Sequence, residues 1–185
     1  AEQGSMLRDD LQEIYTAGNR AKDLVRQILT FARRTDEKAT PTLISSIVKE
    51  ALKMLRSAIP TTIDIRQDIR SHSLVMADPT RIHQVFMNLC TNAAQAMEDD
   101  GGILTVRLCD EKIQPDIIEK NKGMTPGDYL KIEISDTGKG IPEKELDSIF
   151  DPYFTTKPVG EGTGLGLSVV HGIVETYNGK ISVES

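Results

Sequence analysis

The sequence holds two cysteines, three histidines and no tryptophan in 185 residues. Cys90 and Cys109 stand in apolar surroundings, without C-x-x-C spacing or clustered histidines. That excludes a thiolate metal site and leaves buried free thiols as the expectation. No apolar run reaches the roughly 20 residues of a membrane-spanning helix, and no basic-then-apolar leader opens the chain. A cytoplasmic chain without membrane contact is therefore expected, with any spans left to a longer parent. A surplus of basic charge is missing too. The net charge is −6, with Lys and Arg scattered among Asp and Glu, which argues against a nucleic-acid surface.

Two common phosphate motifs are also absent. A Walker loop needs Gly-Lys followed by Ser or Thr, whereas Lys139 precedes Gly140 and Lys180 precedes Ile181. The dinucleotide fingerprint G-x-G-x-x-G fails in the register starting at Gly160, where position 165 is Leu.

What is present suits one well-buried core with an appendage, at 38% hydrophobic and 27% charged residues. Leu11, Ile14, Gly18, Ala21, Val25, Ile28 and Ala32 alternate spacings of three and four, a heptad seam broadened by Leu24 and Phe31. A lone helix of this length is not stable, so the seam predicts a coiled coil or four-helix bundle made by dimerisation. The other reading is one amphipathic helix packed on its own domain. The polar stretch Arg34–Thr40, closed by Pro41, predicts a hinge, with residues 1–36 as a partial bundle helix and 37–185 as the main domain.

Beyond Pro41, Ile44, Ile47, Val48, Ala51, Leu52 and Leu55 predict a helix, and Ile63, Ile65 and Ile69 a strand. Asp78 and Pro79 mark the start of a second helix running to Gly101-Gly102. Strands follow around Leu104–Leu108 and Leu130–Ile134, separated by a polar loop from Glu111 to Gly127. A short helix after Pro142, another from about Leu165 to Tyr177, and a final strand entered through an Asn178-Gly179 turn complete the reading. The fold class is α/β, a two-layer sandwich of a mixed sheet covered by helices on one face.

Four local patterns carry chemistry. Asp136-Thr137-Gly138-Lys139-Gly140 follows a strand and reads equally as a turn or as a ligand loop, since a carboxylate there accepts a hydrogen bond from an exocyclic amine such as that of adenine. Gly162-Thr163-Gly164-Leu165-Gly166-Leu167 opens a helix, where backbone N–H groups favour anions; a mobile glycine loop is the alternative. Asn88 and Asn92 share one helix face. Their amide oxygens suit Mg²⁺, although a helical Asn is more often an ordinary polar group. Phe150 to Lys157 could form a packed lid that carries Lys157 to phosphates, or a plain loop.

Taken in order, these patterns resemble the N box, first glycine box, F box and second glycine box of the catalytic ATPase domain of bacterial sensor histidine kinases. The resemblance covers nearly everything after Pro41, and Ala21–Arg33 is similar to the second helix of the family's dimerisation and phosphotransfer bundle. The Phe154-Thr155-Thr156-Lys157 ending is most similar to kinases of the nitrogen-regulation type and to hybrid kinases. The resemblance implies a Bergerat-type ATPase fold that binds ATP and Mg²⁺. It implies that Asp136 reads the adenine amine, with Gly138 and Gly140 admitting the base. Asn92, assisted by Asn88, would bind the metal. Thr156, Lys157 and the backbone of Gly162, Thr163, Gly164, Leu165 and Gly166 would hold phosphates beneath a lid from Ile141 to Thr163. It also implies a homodimer through the N-terminal helix and a response regulator receiver domain as partner.

The departures from the family are as informative. No histidine here has the family's acceptor context, for His72, His83 and His171 all lie inside the ATPase region. The chain is therefore expected not to phosphorylate itself, and it stops before the family's last strand. The alternative is an ATP-hydrolysing machine of the topoisomerase, mismatch-repair or chaperone class of the GHKL superfamily. Those relatives place a glutamate base where this sequence has Asn88, which cannot take a proton from water. A nucleotide-free pseudokinase is disfavoured by the four intact boxes.

Overall fold

A computed structural model describes Gly18 and residues 39–114, 124–157 and 162–185. Gly18 is helical and exposed, and the rest of the predicted seam lies outside the described residues. The repeat after Pro41 forms helix α1, Ile44–Ala58, and all six predicted apolar positions are buried. The Ile, Val and Leu side chains among them each contribute about 1.5–3 kcal/mol by leaving water. The helix stops short of Pro60, whose ring disfavours helical backbone in the residue before it. Arg56 then donates to the carbonyls of Ile59, Pro60 and Ile63, at 3.1, 2.5 and 2.6 Å, which ties the helix end to the next strand.

Helix α2, Pro79–Ala96, begins as the sequence indicates. The Asp78 carboxylate accepts the Thr80 N–H at 2.8 Å, with Pro79 in the first turn. Its end is five residues earlier than Gly101. The Ala96 carbonyl accepts from Lys139 N–H at 3.3 Å, and the chain turns at Gly101, whose φ is +71°.

These helices cover one face of a mixed sheet. Strand β2, Ile63–Ile69, runs parallel to β4, Gly102–Ile113, which is antiparallel to β5, Gly127–Asp136. Along β4, Leu104, Val106 and Leu108 are buried under α1 and α2. Between them Arg107 points outward to Glu133 across the ladder at 2.8 Å. The period of two thus sets one apolar and one charged face, the sandwich expected. The predicted loop is shorter than expected, because Glu111, Lys112 and Ile113 pair with Tyr129, Asp128 and Gly127.

Strand β1, Thr40–Leu43, was not foreseen. It pairs antiparallel with β3, Leu74–Ala77, as a separate ribbon, and so takes Thr40 and Pro41 out of the predicted hinge. Both ribbon strands are edges, where the missing N–H of Pro41 is tolerated. In the turn before β3, the buried Ser71 donates to Asp110 at 2.6 Å, which with Ser73 holds that carboxyl below its ordinary range.

The expected short helix after Pro142 is a single 3₁₀ turn, Glu143–Glu145. Helix α3, Gly166–Thr176, packs Val170 and Ile173 against Val85 of α2. The Tyr177 hydroxyl accepts the backbone N–H of Asp78 at 2.9 Å, joining the end of α3 to the start of α2. Asn178, at φ 53°, caps α3 and lets Gly179 N–H reach Val174 O at 3.0 Å. The Asn-Gly pair thus ends a helix rather than opening a strand, since both turns use positive φ. No strand follows it in residues 179–185. No helix among the described residues is long and apolar enough to cross a membrane.

Candidate functional site

Helix α2 is the element on which the four patterns meet. The Asn88 amide nitrogen donates to the carbonyl of Gly166, the first residue of α3, at 3.2 Å. A Cβ placed on Gly166 would sit 3.8 Å from Asn92 Nδ2 and 3.9 Å from Asn88 Cγ, so the start of α3 lies over both asparagines. One turn on, Gln95 Oε1 accepts from the Lys157 ammonium. At the helix end, a Cβ on Gly138 would lie 2.6 Å from the Ala96 carbonyl oxygen. Residues 88 to 96 of an α-helix span about 12 Å, and on that stretch the chain assembles segments 40 to 80 residues apart in sequence.

The Asp136 loop is built for rigidity. Its carboxylate, at the exposed end of β5, accepts the Gly138 N–H at 2.9 Å. The Thr137 hydroxyl accepts from Ile103 N–H at 3.0 Å and lies 3.8 Å from the Met97 sulfur, fastening the loop to β4 and to the residue after α2. Gly140 has φ +69°, and Ile141 N–H donates to the Ser185 hydroxyl at 2.6 Å. That contact holds the tail against the loop instead of in the sheet.

The segment from Phe150 is anchored at both ends. The Phe150 ring lies 5.3 Å from His171 of α3, tilted by 37°. Tyr153 has φ 70° and is 71% exposed, an uncommon state for a bulky residue. Its N–H donates to Gly164 O at 2.9 Å, and a Cβ on Gly164 would fall 2.3 Å from the Tyr153 carbonyl carbon. Glycine at 164 is thus required by protein backbone. Lys157 N–H donates to Thr155 Oγ1 at 3.2 Å, with Thr156 exposed between them. The Thr163 hydroxyl accepts Leu165 N–H at 3.4 Å, and no side chain caps α3, so its first N–H groups point out as an anion-favouring end.

The residues singled out in the sequence lie in these segments, which meet α2 from Gly138 at its C-terminal end to Gly166 nearer its middle. Ser185 and Gln95 fall in none of the four patterns, and Thr137 and Tyr153, inside them, carried no assigned role; all four fasten the loops. For Gln95 a signal existed, since it falls three residues after Asn92 and seven after Asn88, on their helix face. Among the described residues no group of three or more His, Cys, Asp or Glu stands ready for a metal. A cation here would rely on amide oxygens. Asn88 uses its nitrogen on Gly166, which leaves oxygen as its acceptor atom. Cys90 is buried beside this face, and burial pushes its thiol from 9.0 up to about 12. Cys109 corrects the expectation of two buried thiols: it is only partly buried, on the outward register of β4 beside Arg70 and Arg107.

Residues 77–185 match the model of the Histidine kinase-, DNA gyrase B-, and HSP90-like ATPase family. The chain is 36% identical over 177 residues to sensor kinase CckA of Brucella abortus, covering 95% of this chain and 19% of that protein. It is 44% identical over 111 residues to sensor histidine kinase ZraS of Escherichia coli K12, covering 60% of this chain and 20% of that protein. The chain thus spans about a fifth of the length of these relatives. Among solved structures, histidine kinase ThkA in complex with response regulator protein TrrA is similar with a TM-score of 0.63 and 25% identity, over 90% of this chain and 43% of that one.

Proposed function

The chain belongs to the histidine kinase-, DNA gyrase B- and HSP90-like ATPase family, and on that premise we propose that it is the ATP-binding catalytic domain of a sensor histidine kinase, passing the γ-phosphoryl group to a histidine carried elsewhere in the parent. The observation that carries this is the convergence of four segments on residues 88–96 of α2. An amine-accepting carboxylate and the loop lysine lie toward one end, at Ala96 and Gln95, and asparagines and a helix N-terminus lie toward the other. A base at Asp136 and phosphates at the start of α3 would then follow the axis of α2.

In this reading Asp136 accepts the adenine amino group, and the turn that holds Gly138, Gly140 and Ile141 keeps its carboxylate in place. Lys157, Thr156 and the backbone of residues 162–166 neutralise and orient the phosphates. Asn92 and Asn88 offer oxygens to Mg²⁺, which when bound offsets phosphate charge. Phosphoryl transfer needs positioning and charge neutralisation more than covalent chemistry by the protein, which fits a site without an activated nucleophile. Asn88, committed to Gly166 and unable to act as a base, favours transfer to histidine over the hydrolysis of the topoisomerase, mismatch-repair and chaperone alternative.

The wider proposals are residues 1–36 as a helix of a dimerising bundle and 37–185 as the catalytic domain. They extend to a response regulator receiver as partner, in line with the ThkA–TrrA complex, a cytoplasmic setting, and a nitrogen-regulation or hybrid type. Calorimetry tests the central one. The chain should bind ATP with Mg²⁺, and Asp136→Asn should weaken binding roughly 10- to 100-fold, the worth of one hydrogen bond to a charged group. No nucleotide binding by the unsubstituted chain would sink the reading.

A further inference from the structure

We infer that Thr137 is a positioning residue for adenine recognition: its hydroxyl, seated on β4 beside Met97, holds the turn that orients the Asp136 carboxylate, and so sets the preference for a base carrying an exocyclic amine. This rests on the ATP-binding reading above and adds to it a residue that acts through Asp136.

The β4–β5 ladder ends at the pair Leu104 and Asp136. One step further its register sets Ile103 opposite Thr137, and there a side chain takes over, for the Ile103 N–H donates to the Thr137 hydroxyl at 3.0 Å. The hydroxyl itself donates to the sulfur of buried Met97 at 3.8 Å, a weak acceptor. Gly102 makes the space. A Cβ there would lie 2.5 Å from Thr137 Oγ1 and 2.6 Å from Met97 Sδ. Branching at Cβ leaves Thr137 few choices of χ1, so the hydroxyl is largely preset. One side chain thus joins the end of β5 to β4 and to the residue after α2.

What the hydroxyl steadies is the partner of Asp136. The carboxylate accepts the Gly138 N–H at 2.9 Å, so its orientation depends on where residue 138 lies. The far side of the turn meets the end of α2, where Lys139 N–H donates to Ala96 O at 3.3 Å, just beyond the usual range for such a bond. The Thr137 bond is the shorter of these two ties. Asp136 and Thr137 are both exposed, so water competes for the carboxylate once the turn loosens. A carboxylate that wanders accepts poorly from an amine, whereas groups that bind phosphate from other segments do not depend on it.

Calorimetry of the full 185-residue chain with two nucleotides and Mg²⁺ tests this: ATP, and the triphosphate of purine riboside, which lacks the exocyclic amine. The unsubstituted chain should prefer ATP. Thr137→Val keeps the shape of the side chain and removes the hydroxyl. It should weaken ATP binding roughly three- to tenfold, the worth of one neutral hydrogen bond, and leave the amine-free nucleotide unchanged. Thr137→Ser keeps the hydroxyl at the cost of some rotamer freedom, and should retain the preference within about twofold. Hydrogen exchange at the Ile103 amide should quicken in the Val variant and not in the Ser variant. Equal loss for both nucleotides, no loss for either, a preference lost in Thr137→Ser, or an unchanged Ile103 exchange rate in Thr137→Val would overturn the inference while leaving ATP binding intact. An unsubstituted chain that binds both nucleotides alike would overturn it together with the role given to Asp136, and one that binds neither would overturn the ATP-binding reading as well.

Discussion

The glycines of the site divide by what a side chain would meet. At Gly138 a Cβ would press on the Ala96 carbonyl at 2.6 Å, and at Gly164 on Tyr153 backbone at 2.3 Å, neither of which can swing away. At Gly166 the nearest atoms are asparagine side chains at 3.8 and 3.9 Å, ordinary contact distance. Gly138→Ala should therefore lower stability by about 1–3 kcal/mol, as overpacking does, whereas Gly166→Ala should leave the thermal midpoint unchanged or raise it. Thermal melts of the two variants without nucleotide check this, and equal midpoints would contradict it. The thiols differ in the same local way. Burial raises the folded value of Cys90 from 9.0 to about 12, so its contribution to stability is complete below pH 9 and is lost as the pH rises through about 12. Stability should accordingly fall between pH 9 and 12, and Cys90→Ala should flatten that part of the profile. At pH 8 an alkylating reagent should label the partly buried Cys109 and spare Cys90, because fully buried thiols are inert. Mass spectrometry reads the outcome.

Among the described residues, polar contacts join α2 to α3 at the start of α2 and again at Asn88. Asp78 caps α2 through Thr80 N–H at 2.8 Å, and its own N–H reaches the Tyr177 hydroxyl at 2.9 Å at the end of α3. Losing the cap should cost about 1 kcal/mol, within the usual range of 0.5–2. Tyr177→Phe should cost about as much by leaving a buried N–H without its acceptor. Urea denaturation of Asp78→Ala, Tyr177→Phe and the pair is the check, and a Tyr177→Phe variant as stable as the parent chain would disprove the contribution. The cap was legible in the sequence because Asp-Pro before an apolar repeat is a local signal. Its hydroxyl partner, 99 residues away, was not.

For the whole chain, the helix-covered mixed sheet places the four motifs on one side of α2 and leaves the charged outer face of β2, β4 and β5 to solvent. None of the three histidines belongs to the assembled set of residues. His171 faces Phe150, and its Nδ1 lies 3.6 Å from Glu175. The chain incubated with γ-labelled ATP should therefore gain no stable label on any histidine. Acid-labile phosphate on His72, His83 or His171 would refute that.

Composition and spacing by themselves determined the apolar faces of α1 and α2, the start of α2, the alternation along β4 and β5 and the identity of the four motifs. Each of these rests on short-range periodicity or on one residue's backbone preference. Tertiary structure alone decided the rest. It paired β1 with β3, ended α2 at Ala96, turned Asn178-Gly179 into a helix cap and laid the tail against Ile141. Strand partners, helix ends and tail position depend on which distant groups satisfy a given N–H or carbonyl, and that choice is not written in neighbouring residues. The same holds for the site. The motifs were readable one at a time, but their order along 12 Å or so of helix, and the seating of Lys157 on Gln95, exist only once segments far apart in sequence are packed on α2.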